Sequence, residues 1–519
     1  MRATGKEMDR GLTRREVLHG IGMLGVGAAA ASVARTLLPP SSSPVASAAP
    51  PGPLREIHLV AKETRWELSP GKVVKAMAYN GQVPGPKIRV REGERVRVIL
   101  KNELSEPTTI HWHGVDVPNP MDGVPGITQK PVQPGETFIY EFEAQPAGTR
   151  WYHTHFQEPR QMDLGLVAPL IIEPAVGDPF PFDREYTLVL DDWATGTGRP
   201  LPSTSAGTPG ARGGMGGMKG GMMGRRGMGR MMEGMMGGRG MGGMMGGGNT
   251  PAYDTMTING KAYPATQPLR VRKGERVRLR LINASAEHTH VIRLAGHRLQ
   301  VTYTDGNPLV QAVEVDAVPI APSERYDVQF VADHPGAWFL YCAEAGHPGA
   351  GEQVVVVYEG HEGEKPEPPI EGITDLSLWR YGLGRGRDVL VSPSARERSF
   401  TLTLSGGMMM MGGDVWTING KRYPDTDPLR LRKGDRVYVR FNNMSMEAHP
   451  MHLHGQSFKV LALNGRRLRQ PLVKDSVDVE AHMGSVDIEF TAYNPGDWFF
   501  HCHKPMHMEG GMILLAKIA

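Results

Sequence analysis

Cysteine is nearly absent from this chain: Cys342 and Cys502 are the only two in 519 residues. At most one disulfide can form, and none if either sulfur is otherwise engaged, so the fold stands on its apolar cores. An excess of one charge sign is lacking too. The 58 Lys and Arg oppose 55 Asp and Glu, a net of +3, which argues for neither a nucleic-acid partner nor a membrane-surface one. Long helical periodicity is missing. The apolar run from Ile21 to Val33 is rich in Gly and Ala and falls short of the ~20 strongly apolar residues that a membrane span needs.

That short run belongs to a leader. Thr13, Arg14, Arg15, Glu16, Val17 and Leu18 form a twin-arginine motif, and Ala46, Ser47 and Ala48 a small-residue cleavage site. Residues 1–48 are therefore expected to be an export signal, placing the mature protein in the periplasm or outside the cell without a membrane span. At 519 residues the whole chain suggests about three or four domains.

Laid against itself, the chain repeats three times. Pro86 to Leu100, Pro268 to Ile282 and Pro428 to Asn442 share alternating residues around a Gly turn, and each reads as a hairpin. A later strand follows a Gly in each repeat: GTRWYHTH from Gly148, GAWFLYCA from Gly336 and GDWFFHCH from Gly496. Short alternating strands with Gly and Pro turns predict an all-β chain of three tandem sandwiches, at 54–180, 181–360 and 395–519. A Met/Gly-rich insertion at 205–250 and a charged linker at 361–394 interrupt them.

The chemistry concentrates at the C-terminus, where His501, Cys502 and His503 precede His507 and Met512. A thiolate, two imidazoles and a weak axial thioether are the ligands of a blue copper site. Structural zinc, the alternative, usually draws on paired Cys or Cys/His spacings. Because strand neighbours face opposite ways, Cys502 can serve one metal while His501 and His503 serve another. His-x-His pairs recur at His111/His113, His153/His155 and His452/His454, with His449 ahead of the last. On equivalent strands of the first and third repeats they would meet only if those domains pack together.

With all four motifs complete, the sequence resembles the three-domain multicopper oxidases, the group of laccases and copper-resistance oxidases. The resemblance implies three cupredoxin-like Greek-key sandwiches and four copper ions. It would put type 1 copper on His449, Cys502, His507 and Met512, and type 2 on His111 and His452. The type 3 pair would lie on His113, His153 and His503, and on His155, His454 and His501. Electrons from a small reductant would pass one at a time through Cys502 and its flanking histidines, and O2 would take four to become water. Asp122 matches the acidic residue that feeds protons in this family. Several bacterial relatives carry Glu directly after the second type 1 His; here Met508 stands there, with Glu509 one place on as the expected substitute.

Twelve of the 34 residues from Met215 to Gly248 are Met, and Met408 to Met411 is a run of four. Thioethers select Cu(I), so cuprous ion joins phenols as the expected reductant, with copper tolerance as the role. The alternative is a copper-sequestering protein that uses the methionines as a sponge. A pure sponge needs no placed set of twelve ligands, and a nitrite reductase of related fold needs no type 3 histidines. Finally, the resemblance treats the middle repeat as a spacer. Its Cys342, His347 and His290 fall on Cys502, His507 and, after one gap, His449, while Glu352 takes the place of Met512 and Tyr341 and Ala343 replace the flanking histidines. The expectation is a relic without a fifth copper, with Cys342 a small buried hydrophobe. A monomer is expected.

Overall fold

The computed structural model describes residues 54–195, 252–344, 351–366, 397–407 and 415–519. The leader, the Met/Gly-rich insertion, Met408 to Met411, His347 and most of the linker lie outside the described residues.

Among the described residues the strands form six sheets that fall into three successive pairs. In the first pair, Lys72–Tyr79, Leu54–Ser69, Arg95–Asn102 and Thr137–Glu143 line up in that order, and Ile88–Arg91, Val167–Glu173, Gly148–His153 and His111–His113 make the second sheet. The next pair has six and five strands between Arg184 and Tyr358, and the last pair again six and five between Glu397 and Ile518. The five-stranded sheet of the last pair runs Leu429–Leu431, Ile513–Ile518, Gly496–Cys502, His449–Leu453 and Ser476–Val479. This is the expected all-β, cupredoxin-like architecture.

The repeated hairpins are not hairpins. Ile88–Arg91 pairs with Val167–Glu173, whereas Arg95–Asn102 pairs with Leu54–Ser69 and Thr137–Glu143 in the opposite sheet. The same separation occurs at 269–283 and 429–443. The turn carries the chain across the sandwich, and its glycines, Gly93, Gly274 and Gly434, all have φ between +85 and +90 in otherwise open space. That left-handed conformation is what Gly permits cheaply. The alternation was legible, but its apolar residues (Ile88 and Val90 on one side, Val96, Val98 and Leu100 on the other) face each other across one core. Trp112, Trp151, Trp193 and Trp498 are fully buried in these layers, and trimming any of them to Ala costs about 3–5 kcal/mol.

Candidate metal centre

Strand pairing brings the histidine motifs into register. His111 lies opposite His153, and His452 opposite His501 with Met451 opposite Cys502. Period-two alternation then sorts the side chains. Trp112, Met451 and Leu453 point into the cores, while His111 and His113 on either side of Trp112, and His452 and His454 on either side of Leu453, point outward to the junction of the first and third sandwiches. There His113 stacks on His452 at 3.7 Å between ring centroids, and His111 on His454 at 3.9 Å. His153, His155, His501 and His503 complete the group, and all eight rings are buried.

Hydrogen bonds decide which nitrogen of each ring faces the centre. The Nδ1–H groups of His111, His452, His153 and His501 donate to the backbone carbonyls of Asp122, Asp475, Thr154 and Cys502 at 2.7–2.9 Å. His113 is turned the other way, its Nε2 lying 3.1 Å from Asp475 Oδ1. The inward nitrogens, Nε2 of His111, His153, His155 and His452 and Nδ1 of His113, have no partner, and His503 has none at either nitrogen. Buried polar atoms are rarely left so. The Nε2 atoms of His454 and His501 approach to 2.9 Å although the Nδ1 of each already faces an acceptor, so two bare lone pairs confront one another. Metal cations placed among these rings would satisfy such an arrangement. Ligand atoms within 4.8 Å of one another group as His111, His113 and His452; His113, His153 and His503; and His155, His454 and His501.

Burial, with mutual repulsion, holds His113, His153, His155, His452, His454 and His503 well below the ordinary imidazole range, and burial lowers His501 to about 4. These groups fold neutral. The unfolded chain therefore binds more protons below about pH 6.5, and stability must fall as pH drops through that value and level off above it. We expect the melting temperature of the copper-free protein to decline steeply between about pH 6.5 and 5 while remaining flat above 7. Calorimetry across that range checks it; a flat profile would mean that the rings protonate freely in the fold.

A second group lies behind Cys502. Its Sγ is 3.6 Å from His449 Nδ1 and 3.5 Å from His507 Nδ1, and these two nitrogens are 3.0 Å apart. The far nitrogens are held by Ser445 Oγ at 2.7 Å and Glu447 Oε2 at 3.1 Å. His507 sits on the short helix Pro505–Glu509, whose chain returns so that Cys502 N donates to the carbonyl of the buried Met512. Burial pushes the Cys502 thiol well above its ordinary value, so a cation is required for the thiolate to exist there. Trp416 packs on His507 at 3.8 Å.

Of the two expected acids, Asp122 is buried, its Oδ2 accepting from His454 Nδ1 at 2.9 Å and its Oδ1 3.2 Å from His111 Nδ1. Glu509 is exposed at the end of its helix. Sequence reading missed Glu158, fully buried with its Oε1 3.2 Å from His155 Nδ1 and raised well above the carboxyl range by burial and by Glu509. Its one signal was position, three residues after His155. It missed Glu447, two before His449, as well.

In the middle sandwich the correspondence with the Cys502 site is structural. Cys342 N donates to Glu352 O as Cys502 N does to Met512 O, and Ser285 Oγ lies 2.6 Å from His290 Nε2 as Ser445 does from His449. The serine-to-histidine spacing differs by one residue, which is the gap in the repeat. Glu352, in the thioether's place, engages His290 Nδ1 at 2.7 Å, so the carboxylate already occupies the ligand nitrogen. Cys342 is only partly buried rather than the buried hydrophobe expected. We expect Cys342→Ser to leave four coppers per chain; loss of one by metal analysis would contradict this.

A thiolate with two imidazoles inside a β-sandwich, beside eight buried rings with bare inward nitrogens, defines a copper protein of the cupredoxin class. Comparisons with known proteins agree. Family models described as multicopper oxidase match residues 60–176, 231–361 and 398–518. The chain is similar to multicopper oxidase MmcO of Mycobacterium tuberculosis, 32% identical over 85% of this chain and 83% of that protein. It is also similar to a copper resistance protein A homolog of Pseudomonas syringae pv. tomato, 27% identical over 89% and 92%. Among solved structures, a multi-copper oxidase from Pseudomonas thermotolerans matches with a TM-score of 0.64 and 27% identity, covering 90% of this chain and all of that one. The chain belongs to the multicopper oxidases: it is an oxidoreductase that uses four coppers, one type 1, one type 2 and two type 3.

Proposed function

We propose that this enzyme oxidises cuprous ion, one electron at a time, and passes the electrons to O2, which is reduced to water, and that it serves copper tolerance outside the cytoplasm. His449, Cys502, His507 and Met512 would hold type 1 copper, and His111 and His452 type 2. His113, His153 and His503 would hold one type 3 ion, and His155, His454 and His501 the other. Bound copper supplies the one-electron redox chemistry at the thiolate and the site of O2 reduction among the eight rings. Cys502 shares its backbone with His501 and His503, so the two sites are joined by two peptide units.

The observation that favours cuprous ion over a phenol is the entry face of His507. Trp416 covers one side of the ring, and the Glu447 carboxylate closes the Nε2 edge. Among the described residues these two groups cover the buried imidazole. Beside Glu447, Met444 and Met446 are 47% and 66% exposed. Thioethers next to a carboxylate suit a soft cation. The Met/Gly-rich insertion would add capture capacity. Asp122 would deliver protons on the His111 and His454 side. Glu509 at the surface, with Glu158 between it and His155, would mark a second proton route. Twin-arginine export through residues 1–48 remains part of this reading. Among the described residues no helix is long and apolar enough to cross a membrane.

Steady-state O2 consumption tests the proposal. Glu447→Gln with Met444→Leu and Met446→Leu is expected to raise KM for Cu(I) about tenfold or more, by removing one charge-assisted contact, while phenol oxidation holds or improves. Deleting 213–248 should weaken Cu(I) oxidation only at low copper. Equal loss with both substrates would refute the cuprous entry site, and the absence of any O2 consumption would leave sequestration as the function.

A further inference from the structure

We infer that Arg325, in the middle sandwich, is a positioning residue of the histidine centre: its guanidinium fixes Asp475, and Asp475 fixes the rings of His113 and His452. This rests on the ligand assignment proposed above. The middle repeat is then a working part of the copper centre rather than a spacer.

The contacts run in an unbroken buried chain. Arg325 opens the strand Arg325–Val331, and its two terminal nitrogens donate to Asp475 Oδ1 at 2.6 Å and Oδ2 at 2.5 Å. A planar fork on a carboxylate sets direction as well as distance. Held in this way, Asp475 presents Oδ1 to His113 Nε2 at 3.1 Å and its backbone carbonyl to His452 Nδ1 at 2.8 Å. One residue therefore determines which nitrogen of each ring is left for a metal, Nδ1 on His113 and Nε2 on His452. The adjacent Ser476 Oγ reaches the same two nitrogens at 3.3 and 3.2 Å and accepts from Ser323, also of the middle sandwich, at 2.9 Å.

The backbone around Asp475 is anchored from the same side. Asp305 Oδ2 accepts from the amides of Asp475 and Ser476, both at 3.1 Å, while Asp305 Oδ1 accepts from the amide of Arg325 at 2.9 Å. The first sandwich adds Arg150, which donates to the carbonyl of Asp305 at 2.6 Å. Charges balance inside this cluster: Arg150, Arg325 and Lys474 against Asp305, Asp475 and Glu324, every one buried. Burial alone would drive the proton off Lys474, but Asp305 and Glu324 hold it above the ordinary amine range. The pair also packs on bare backbone, since a Cβ at Gly114, next to His113, would lie 2.5 Å from Asp475 Oδ2 and 2.6 Å from Arg325 Nη2.

The test uses copper-loaded full-length protein and reads the two metal sites separately. Arg325→Lys keeps the charge balance but not the fork, and Arg325→Met removes both. Each is expected to leave the blue thiolate band unchanged. Each should perturb the type 2 electron paramagnetic resonance signal and weaken retention of that copper against a chelator, by about tenfold or more for Met and less for Lys. Wild-type type 2 spectra and retention in Arg325→Lys would overturn the inference, because charge alone would then suffice. So would a loss of both signals together in the two variants, which would mark a structural role only. His452→Ala separates the assumptions: if it leaves the type 2 signal intact, the ligand assignment fails; if it removes the signal and the Arg325 variants do not, the positioning role alone fails.

Discussion

Cys502→Ser is expected to erase the intense blue absorption and reduce oxidase turnover to background, while copper bound by the eight histidines is retained. The two effects share one cause. The Cys502 sulfur lies within 3.6 Å of both His449 Nδ1 and His507 Nδ1, and a serine oxygen there supplies neither the soft thiolate nor the charge-transfer band. The same residue links the sites through its backbone, which serine preserves, so the fold and the rings of His501 and His503 should stay in place. Absorption spectroscopy, metal analysis and O2 uptake on one preparation check it. A variant that remained blue would overturn the type 1 assignment.

Asp122→Ala is expected to lower O2 turnover about 10–100-fold with the blue band intact. Its carboxylate reaches both His454 and His111, and its backbone carbonyl orients His111. The turn that allows this depends on Gly123, at φ +87, where a Cβ would lie 1.9 Å from the carbonyl oxygen of Ile110. Alanine at 122 keeps the carbonyl bond and removes the carboxylate, so the loss reports the side chain. Asp122→Asn can still accept from His454 but cannot release a proton, so recovery in Asn would identify orientation, and continued loss proton delivery. Unchanged turnover in Ala would refute both roles.

The histidine motifs and their neighbours differed in how legible they were. The HxH and HCH motifs could be read because each is a local pattern. A strand's period of two places alternate residues on one face whatever the partner strand, so His452 and His454 were bound to share a side. The threefold repeat was legible for the same reason, and so was the gap that shifts His290 relative to His449. The hairpin expectation failed on the other aspect of that periodicity. Alternation reports that one face is apolar but not which sheet the strand joins, and Gly93 sends the chain across the core instead of back along it.

The sequence by itself determined the all-β sandwiches, the copper chemistry and which histidine motifs share a strand face, because these follow from residue type and short spacing. Tertiary structure alone decided which ring nitrogen each histidine offers, that Glu447 guards the edge of His507, that Glu158 stands beside His155, and that Arg325 grips Asp475. Each of those depends on partners brought together by folding. Arg325 and Asp475 are 150 residues apart, and neither has any neighbour in sequence that announces the other. A buried charge or imidazole must find its partner wherever packing excludes water, and that place is set by how the three sandwiches meet.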